Sequence, residues 1–321
     1  MQLKKPFLKL PIQFDAAALA AEVRALPITA WDPHPSGFVG NEAVKLISVG
    51  GGLTDRHDGP MGPTVYLRAC EYIREIMGEI GAVWGRSRLM GLAAGSEVPR
   101  HVDINYYWRT HFRIHIPVIT NPGVEFTCGD ETIHMAAGEC WIFDSFRFHR
   151  VENKGSERRV HLVIDTVGGG ILPDLMAAAE DGTAPARMLS KGQANGGELA
   201  FEQFNAPDVM SPWEMRCHLA FILDNAQPDP ALPTVRARID RFIDDWAAAW
   251  ARFGPEDAGL PIYADLLRRI NADLEALGGK SIRLSNNIKL YAVLGALILK
   301  KALGSSVAAG NVPAAGQRAA S

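Results

Sequence analysis

Six side chains in the middle of this chain are of types that can bind a metal ion and an organic acid together. They are His101 and Asp103 in the run His101-Val102-Asp103, Arg113 and His115 in Arg113-Ile114-His115, then His149 and Arg159. Two imidazoles and one carboxylate on one face of an octahedral ion hold iron and leave three positions open for other ligands. In an extended strand His101 and Asp103, at i and i+2, share a face, and His149 lies far enough on for strands to turn back and close the third corner. Arg159 suits a different task. A dicarboxylate co-substrate that chelates iron through a 2-oxo acid end leaves a distal carboxylate, which a guanidinium binds with two parallel N–H donors while staying charged in a dry pocket. Arg113 and His115 could serve the other end. Most of the nine histidines have plainer readings, and His34, His57 and His218 are read as ordinary core or surface residues. His134 and His161 stay open between donors behind the site and core polar groups. Asp144 is expected to fix the turn before His149 by local hydrogen bonds.

These residues need strands to position them. From Arg86 to Val167 the apolar pattern has period two, and candidate strands cover 88–93, 111–118, 124–128, 131–135, 140–143 and 158–167, broken by Asn121-Pro122-Gly123, Gly129-Asp130 and Ala137-Gly138. In 111–118 and 159–165 one face is wholly apolar while the other carries Arg and His. A solvated face usually carries Lys, Glu, Ser and Thr, so the pattern favours a barrel with helices outside and a polar pocket inside. Before it, Asp15 can cap a short helix through Leu19 and Val23, Val44 to Val49 reads as a strand, Gly50-Gly51-Gly52 as a turn, and Pro63-Thr64 opens a helix to about Gly81. After it, Ser211-Pro212-Trp213-Glu214 reads as a helix start, and three further helical stripes follow. The expected layout is N-terminal helices and a strand packing on the core (1–84), a β catalytic core (85–182), a connector (183–210), a helical region (211–303) and a disordered tail (304–321).

The composition excludes several classes. A net charge of -3, with 47% hydrophobic and 21% charged residues, gives no electrostatic footprint for nucleic acid or an anionic membrane. The four cysteines have no C-x-x-C spacing, which fits a reduced, cytoplasmic setting. The N-terminus lacks an apolar h-region, and the longest apolar run, 290–299, falls short of the ~20 residues that span a bilayer.

The spaced motifs His101-Val-Asp103, Arg113-Ile-His115-Ile-Pro117, Met135-x-x-Gly138-Glu139-x-Trp141-x-Phe143-Asp144, His149 and Arg159-x-His161-Leu-Val-Ile-Asp165 resemble the aspartyl/asparaginyl β-hydroxylase family over residues 85–167, and more loosely over 30–84. The resemblance implies a double-stranded β-helix (a jelly roll, cupin-like) and Fe(II), 2-oxoglutarate and O2 as cofactors. It implies hydroxylation of an unactivated C–H bond of an amino acid, free or in a peptide or carrier-bound intermediate, with succinate and CO2 released. By the same resemblance His101, Asp103 and His149 are the metal and catalytic residues, and Arg159, Arg113 and His115 bind 2-oxoglutarate. Animal members have glycine where this chain has Asp103, and a serine where it has Met90. The complete triad and the C-terminal helices bring it nearer the bacterial proline cis-4-hydroxylase-like group. Asn105, Tyr106, Tyr107, Trp108, Arg109 and His111, following the first ligands, are the candidate substrate contacts. The alternatives are an oxidase of the same cofactors that desaturates or cyclises, a cupin-like metal protein without 2-oxoglutarate, and a non-catalytic jelly-roll module. The C-terminal helices are expected to be a lid, a partner surface or a homo-oligomer interface.

Overall fold

Strands with one apolar face and one face of Arg and His need a cover for the first and an enclosure for the second, and the fold supplies both. The computed structural model describes residues 2–35, 37–182, 184–193 and 197–304. The chain opens with β1 (Phe7–Phe14), α1 (Ala16–Arg24), β2 (Asp32–Pro33), β3 (Asn41–Val49), β4 (Met61–Pro63), α2 (Val65–Ala69) and α3 (Glu71–Ile80). The central strands are β5 (Val83–Leu92), β6 (Glu97–His101), β7 (Phe112–Ile119), β8 (Val124–Cys128), β9 (Glu131–Ile133), β10 (Glu139–Phe143), β11 (His149–Asn153) and β12 (Arg159–Gly168), with α4 (Tyr106–Thr110) between β6 and β7. Then come α5 (Leu172–Asp181), β13 (Arg187–Leu189), β14 (Ala200–Phe201), α6 (Pro212–Asp224), α7 (Leu232–Phe253), α8 (Leu260–Ala276) and α9 (Leu290–Leu294).

Two sheets form. The larger has the order β13-β1-β10-β7-β12-β5-β3-β2, with β14 beside β5 and β4 beside β3; the smaller is β6-β11-β8-β9. From β5 to β12 the chain passes between the two, so β5, β7, β10 and β12 lie in the large sheet and β6, β8, β9 and β11 in the small one. That winding is the double-stranded β-helix. Ile114, Ile116, Leu162 and Ile164 face outward and pack with Leu19 and Val23 of α1 and with Ile73, Ile76, Met77 and Ile80 of α3. The opposite face encloses Phe7, Leu92, Phe126, Phe143 and Val151 together with buried Arg88, His115, Arg159, His161 and Asp165. The polar face is an interior.

Two differences from the expected layout have physical causes. Residues 1–84 do not only pack on the core, because β1 and β3 are strands of the large sheet itself. In β1 the pairing with β10 shifts register between Leu10 and Gln13, around Pro11, which has no N–H to give a ladder. The expected helix from Thr64 to Gly81 is broken at Cys70, whose backbone is extended. Thr64 caps the first piece; the second starts where the Glu22 carboxylate accepts the N–H groups of Tyr72 (2.7 Å) and Ile73 (3.0 Å), a cap from a distant helix.

By contacts the chain forms two units, one of 1–103 and 107–205, the other of Ile104–Tyr106 and the chain from Ala206. In the second, Ser211 caps α6 by accepting the Glu214 N–H at 3.2 Å, and Trp246 is buried with Phe242 and Tyr263, its indole N–H donating to Met210 O at 2.9 Å. Among the described residues no helix is long and apolar enough to cross a membrane. Residues 305–321 of the expected tail, and 183 and 194–196 of the connector, lie outside the described residues.

Candidate active site

The small sheet brings the two histidines together by register. His149 opens β11 and pairs directly with His101 at the end of β6, leaving the rings 4.2 Å apart between centroids. Each ring is oriented from behind, His101 Nδ1 against Pro99 O at 2.7 Å and His149 Nδ1 against Arg147 O at 3.0 Å. Such contacts fix the tautomer and leave Nε2 as the outward lone pair, as metal-ligating histidines require. Burial holds His149 neutral, its pKa pulled down to about 4. Asp103 arrives differently from the expectation of a shared strand face, because β6 ends at His101. The loop beyond it is fixed by the Asp103 N–H donating to Ser145 O at 3.0 Å. Ser145 lies in the turn before His149, which Asp144 pins by accepting the Phe146 N–H and Arg147 Nε, both at 3.0 Å. Both ligand loops therefore hold each other. One donor atom from each of His101, Asp103 and His149 lies within 4.8 Å of the others, and this donor set suits a divalent first-row metal such as iron(II).

Behind Asp103 stands Arg113. It donates from Nη1 to Asp103 Oδ2 at 3.2 Å and from Nε to Asp165 Oδ1 at 3.1 Å, with its guanidinium 3.7 Å from the Trp108 ring centroid. Arg113, expected at the chelating end of the co-substrate, gives two of its donors to these carboxylates, so that it links Asp103 to Asp165. Nothing in the sequence marked Asp165 beyond its place in the last motif.

The same interior holds a group of polar side chains without hydrogen-bond partners among the described residues. Arg159 is 3% exposed, its Nε has no hydrogen-bond partner among the described residues, and burial pulls its pKa down to about 9. Both nitrogens of His115 and both of His161 are also buried and unpaired, and the two rings meet edge to face at 5.8 Å. Burial, then Arg159, holds both imidazoles well below their ordinary pKa. Buried polar groups are nearly always bonded in native proteins, and here four imidazole nitrogens and the Nε of the neighbouring cation are left without a hydrogen-bond partner among the described residues, a set that could hold an organic anion. His161, left open by the sequence, lies in this group.

The expected substrate residues divide. Tyr107 and Trp108 form an aromatic wall with His57 (ring centroids 5.2 and 5.8 Å). Tyr106 instead bonds Glu214 within the second unit, Asn105 is exposed and Arg109 half-buried. His111 stacks on Tyr107 at 3.7 Å with both nitrogens engaged, Nδ1 meeting Tyr107 O at 2.7 Å and Nε2 meeting Glu202 at 3.0 Å. Glu202 is buried and was missed, because no local pattern links it to a histidine so far away in sequence. Its segment runs parallel to β5 through β14, and Asn205 beside it donates to His57 O at 2.9 Å and accepts the Gly59 N–H at 2.8 Å. This strap ties both halves of the aromatic wall.

The sequence profile described as aspartyl/asparaginyl beta-hydroxylase matches residues 67–168. Among curated proteins the chain is 27% identical over 169 residues to L-proline cis-3-hydroxylase 1 of Streptomyces sp, covering 50% of this chain and 57% of that one. It is 24% identical over 163 residues to L-proline cis-4-hydroxylase of Rhizobium meliloti (strain 1021), covering 48% and 58%. The matches thus span little more than half of either relative. Solved structures include a 2OG-Fe(II) oxygenase family oxidoreductase from Burkholderia pseudomallei (TM-score 0.38, 18% identity, 48% of this chain and 79% of that one). A Pseudomonas putida prolyl-4-hydroxylase gives a TM-score of 0.35 at 12% identity, over 52% and 95%.

Proposed function

We propose, from the premise that residues 67–168 belong to the aspartyl/asparaginyl β-hydroxylase family, that the chain is an iron(II)- and 2-oxoglutarate-dependent dioxygenase hydroxylating an unactivated C–H bond of an amino acid. One observation carries the reading: a two-histidine, one-carboxylate set shares an interior with a buried arginine and two imidazoles that lack partners. A metal alone would need the first and not the second. Iron(II), 2-oxoglutarate and oxygen together supply the oxidising power that places one oxygen atom in the substrate and the other in succinate, with CO2 released.

The chain's own part is positional. His101, Asp103 and His149 would hold the metal. Arg113 fixes the Asp103 carboxylate through Nη1, so that the acid presents the same oxygen each time. Arg159 takes the distal carboxylate of 2-oxoglutarate, and His115 and His161 supply the neutral donors beside it. Phe126 and Phe143 pack edge-on against His115 (5.5 and 5.3 Å) and keep water from the co-substrate, which strengthens the charge pairing there. The relatives whose names specify a substrate act on L-proline, which supports a small amino acid as the substrate class.

The test is anaerobic titration of iron(II)-loaded protein with 2-oxoglutarate, followed by the weak visible absorption of its chelate. Absorption in the wild type that is lost in His101→Ala and His149→Ala supports the reading. Iron that binds with no change on adding 2-oxoglutarate sinks it and leaves a metal-binding jelly roll.

A further inference from the structure

Of the three proposed metal ligands, only Asp103 stands on no strand. His101 and His149 are set by the pairing of β6 with β11, whereas β6 ends at His101 and α4 begins at Tyr106. Asp103 therefore keeps its place only as well as its loop is anchored. One anchor lies within the first unit, where the Asp103 N–H donates to Ser145 O at 3.0 Å. Beyond Asp103 the chain leaves that unit: Ile104, Asn105 and Tyr106 group with the helices of the second, and Tyr107 is back in the first. The three residues between the triad's acid and the aromatic wall thus belong, by their packing, to the helical region.

A polar cluster on α6 holds them there. Tyr106 is buried, and its hydroxyl donates to Glu214 Oε1. Glu214 lies in the first turn of α6, where its own N–H is capped by Ser211 at 3.2 Å. One turn on, His218 Nε2 comes within 3.6 Å of the same carboxylate oxygen, and its ring centroid lies 5.3 Å from that of Tyr106. A buried phenol needs an acceptor, and an ionised carboxylate is the strongest that a side chain offers. We propose that Glu214 is a positioning residue for the metal site: by seating Tyr106 it fixes the loop that carries Asp103, so that affinity for iron(II) depends on a residue of the helical region. This rests on the metal site of the dioxygenase reading and gives the C-terminal helices a task within it. The lever is short. Three residues of chain reach at most about 11 Å, while a metal ligand must sit within about 0.2 Å of its ideal distance.

The test is anaerobic calorimetric titration of the full chain with iron(II) alone. Glu214→Ala and Tyr106→Phe are each expected to weaken binding about tenfold, the lower end of what losing a contact behind a metal ligand costs. Glu214→Gln, which keeps an acceptor for the hydroxyl, should restore most of the affinity. Combining Tyr106→Phe with Glu214→Ala should cost no more than either alone, because both remove the same bond. A merely structural role would lower the urea midpoint of these variants and leave the iron(II) affinity of the folded protein at its wild-type value. That result overturns the proposal, and so do losses that add in the double variant. Should Glu214→Ala not fold, Tyr106→Phe decides, since it removes one oxygen atom and leaves the ring in place. Adding 2-oxoglutarate afterwards separates the two readings. Iron(II) affinity that follows the Tyr106–Glu214 bond, with no chelate absorption, sinks the dioxygenase and leaves the positioning role. Chelate absorption in the wild type, with unaltered iron(II) affinity in the variants, does the reverse.

Discussion

Arg159 is built at the expense of the fold, and that gives its role a signature. An unpaired buried cation costs stability that an apolar residue of similar volume recovers, by about 1–3 kcal/mol. Arg159→Met should therefore raise the urea midpoint of the ligand-free protein while raising the 2-oxoglutarate requirement about ten- to a hundredfold. A lower midpoint would mean that the guanidinium has a structural partner after all. Asp165 is the mirror case, since it braces Arg113 at 3.1 Å and Arg113 braces Asp103. Losing a residue that orients a metal ligand typically weakens metal binding about ten- to a hundredfold. Asp165→Asn should show this in an anaerobic iron titration, and unchanged iron affinity would mean that Asp103 is oriented without it. The triad and Arg159 were legible in the sequence because their types and order are unusual together. Asp165 and Glu202 were not, because each matters through a partner that only the folded register brings near.

At the level of elements, β5 reaches the aromatic wall through a residue with no side chain. A Cβ on Gly85 would lie 2.6 Å from the Tyr107 hydroxyl and 3.1 Å from His111 Cδ2, where the two rings stack at 3.7 Å. Gly85→Ala should thus displace Tyr107 and cost about 1–3 kcal/mol, as overpacking does, while the Arg159 end keeps its 2-oxoglutarate affinity. Denaturant unfolding and the chelate absorption measure the two effects separately, and a loss of both would argue against an independent wall. The same scale explains what the sequence could show of the fold. β7 and β12 have a strict period of two with Ile114, Ile116, Leu162 and Ile164 on one side, so they were readable. β1 alternates just as well at Leu8, Leu10 and Ile12, but Pro11 inside it argues against a strand. β6 and β11 are five residues each and half polar, because their inner faces carry the ligands. The break at Cys70 depends on Glu22, and no local propensity could reveal it.

Across the whole molecule, an interior lined with unpaired imidazoles makes stability depend on pH in a fixed direction. His115 and His161 are buried and unbonded, and desolvation first, Arg159 second, sets their pKa values well below 6.5 in the folded chain. The unfolded chain protonates both near pH 6.5, whereas the folded chain binds neither proton until far lower. The unfolded state therefore holds more protons across that interval, and stability falls as pH falls. Their contribution is complete above about pH 6.5 and is lost progressively below it, at up to about 1.4 kcal/mol per pH unit for each histidine. Urea unfolding at pH 7.5 and pH 5.5 should show a lower midpoint at the acid end, and His161→Phe should reduce the difference. An equal difference in that variant would assign the acid sensitivity to other groups and leave His161 with a hydrogen-bond partner. Bound 2-oxoglutarate should act in the same direction as the substitution, because an anion beside Arg159 offers acceptors to protonated rings and brings their folded pKa values back toward 6.5. The acid loss should then be smaller in the liganded protein, so one pair of unfolding curves reports both the empty cradle and its occupant.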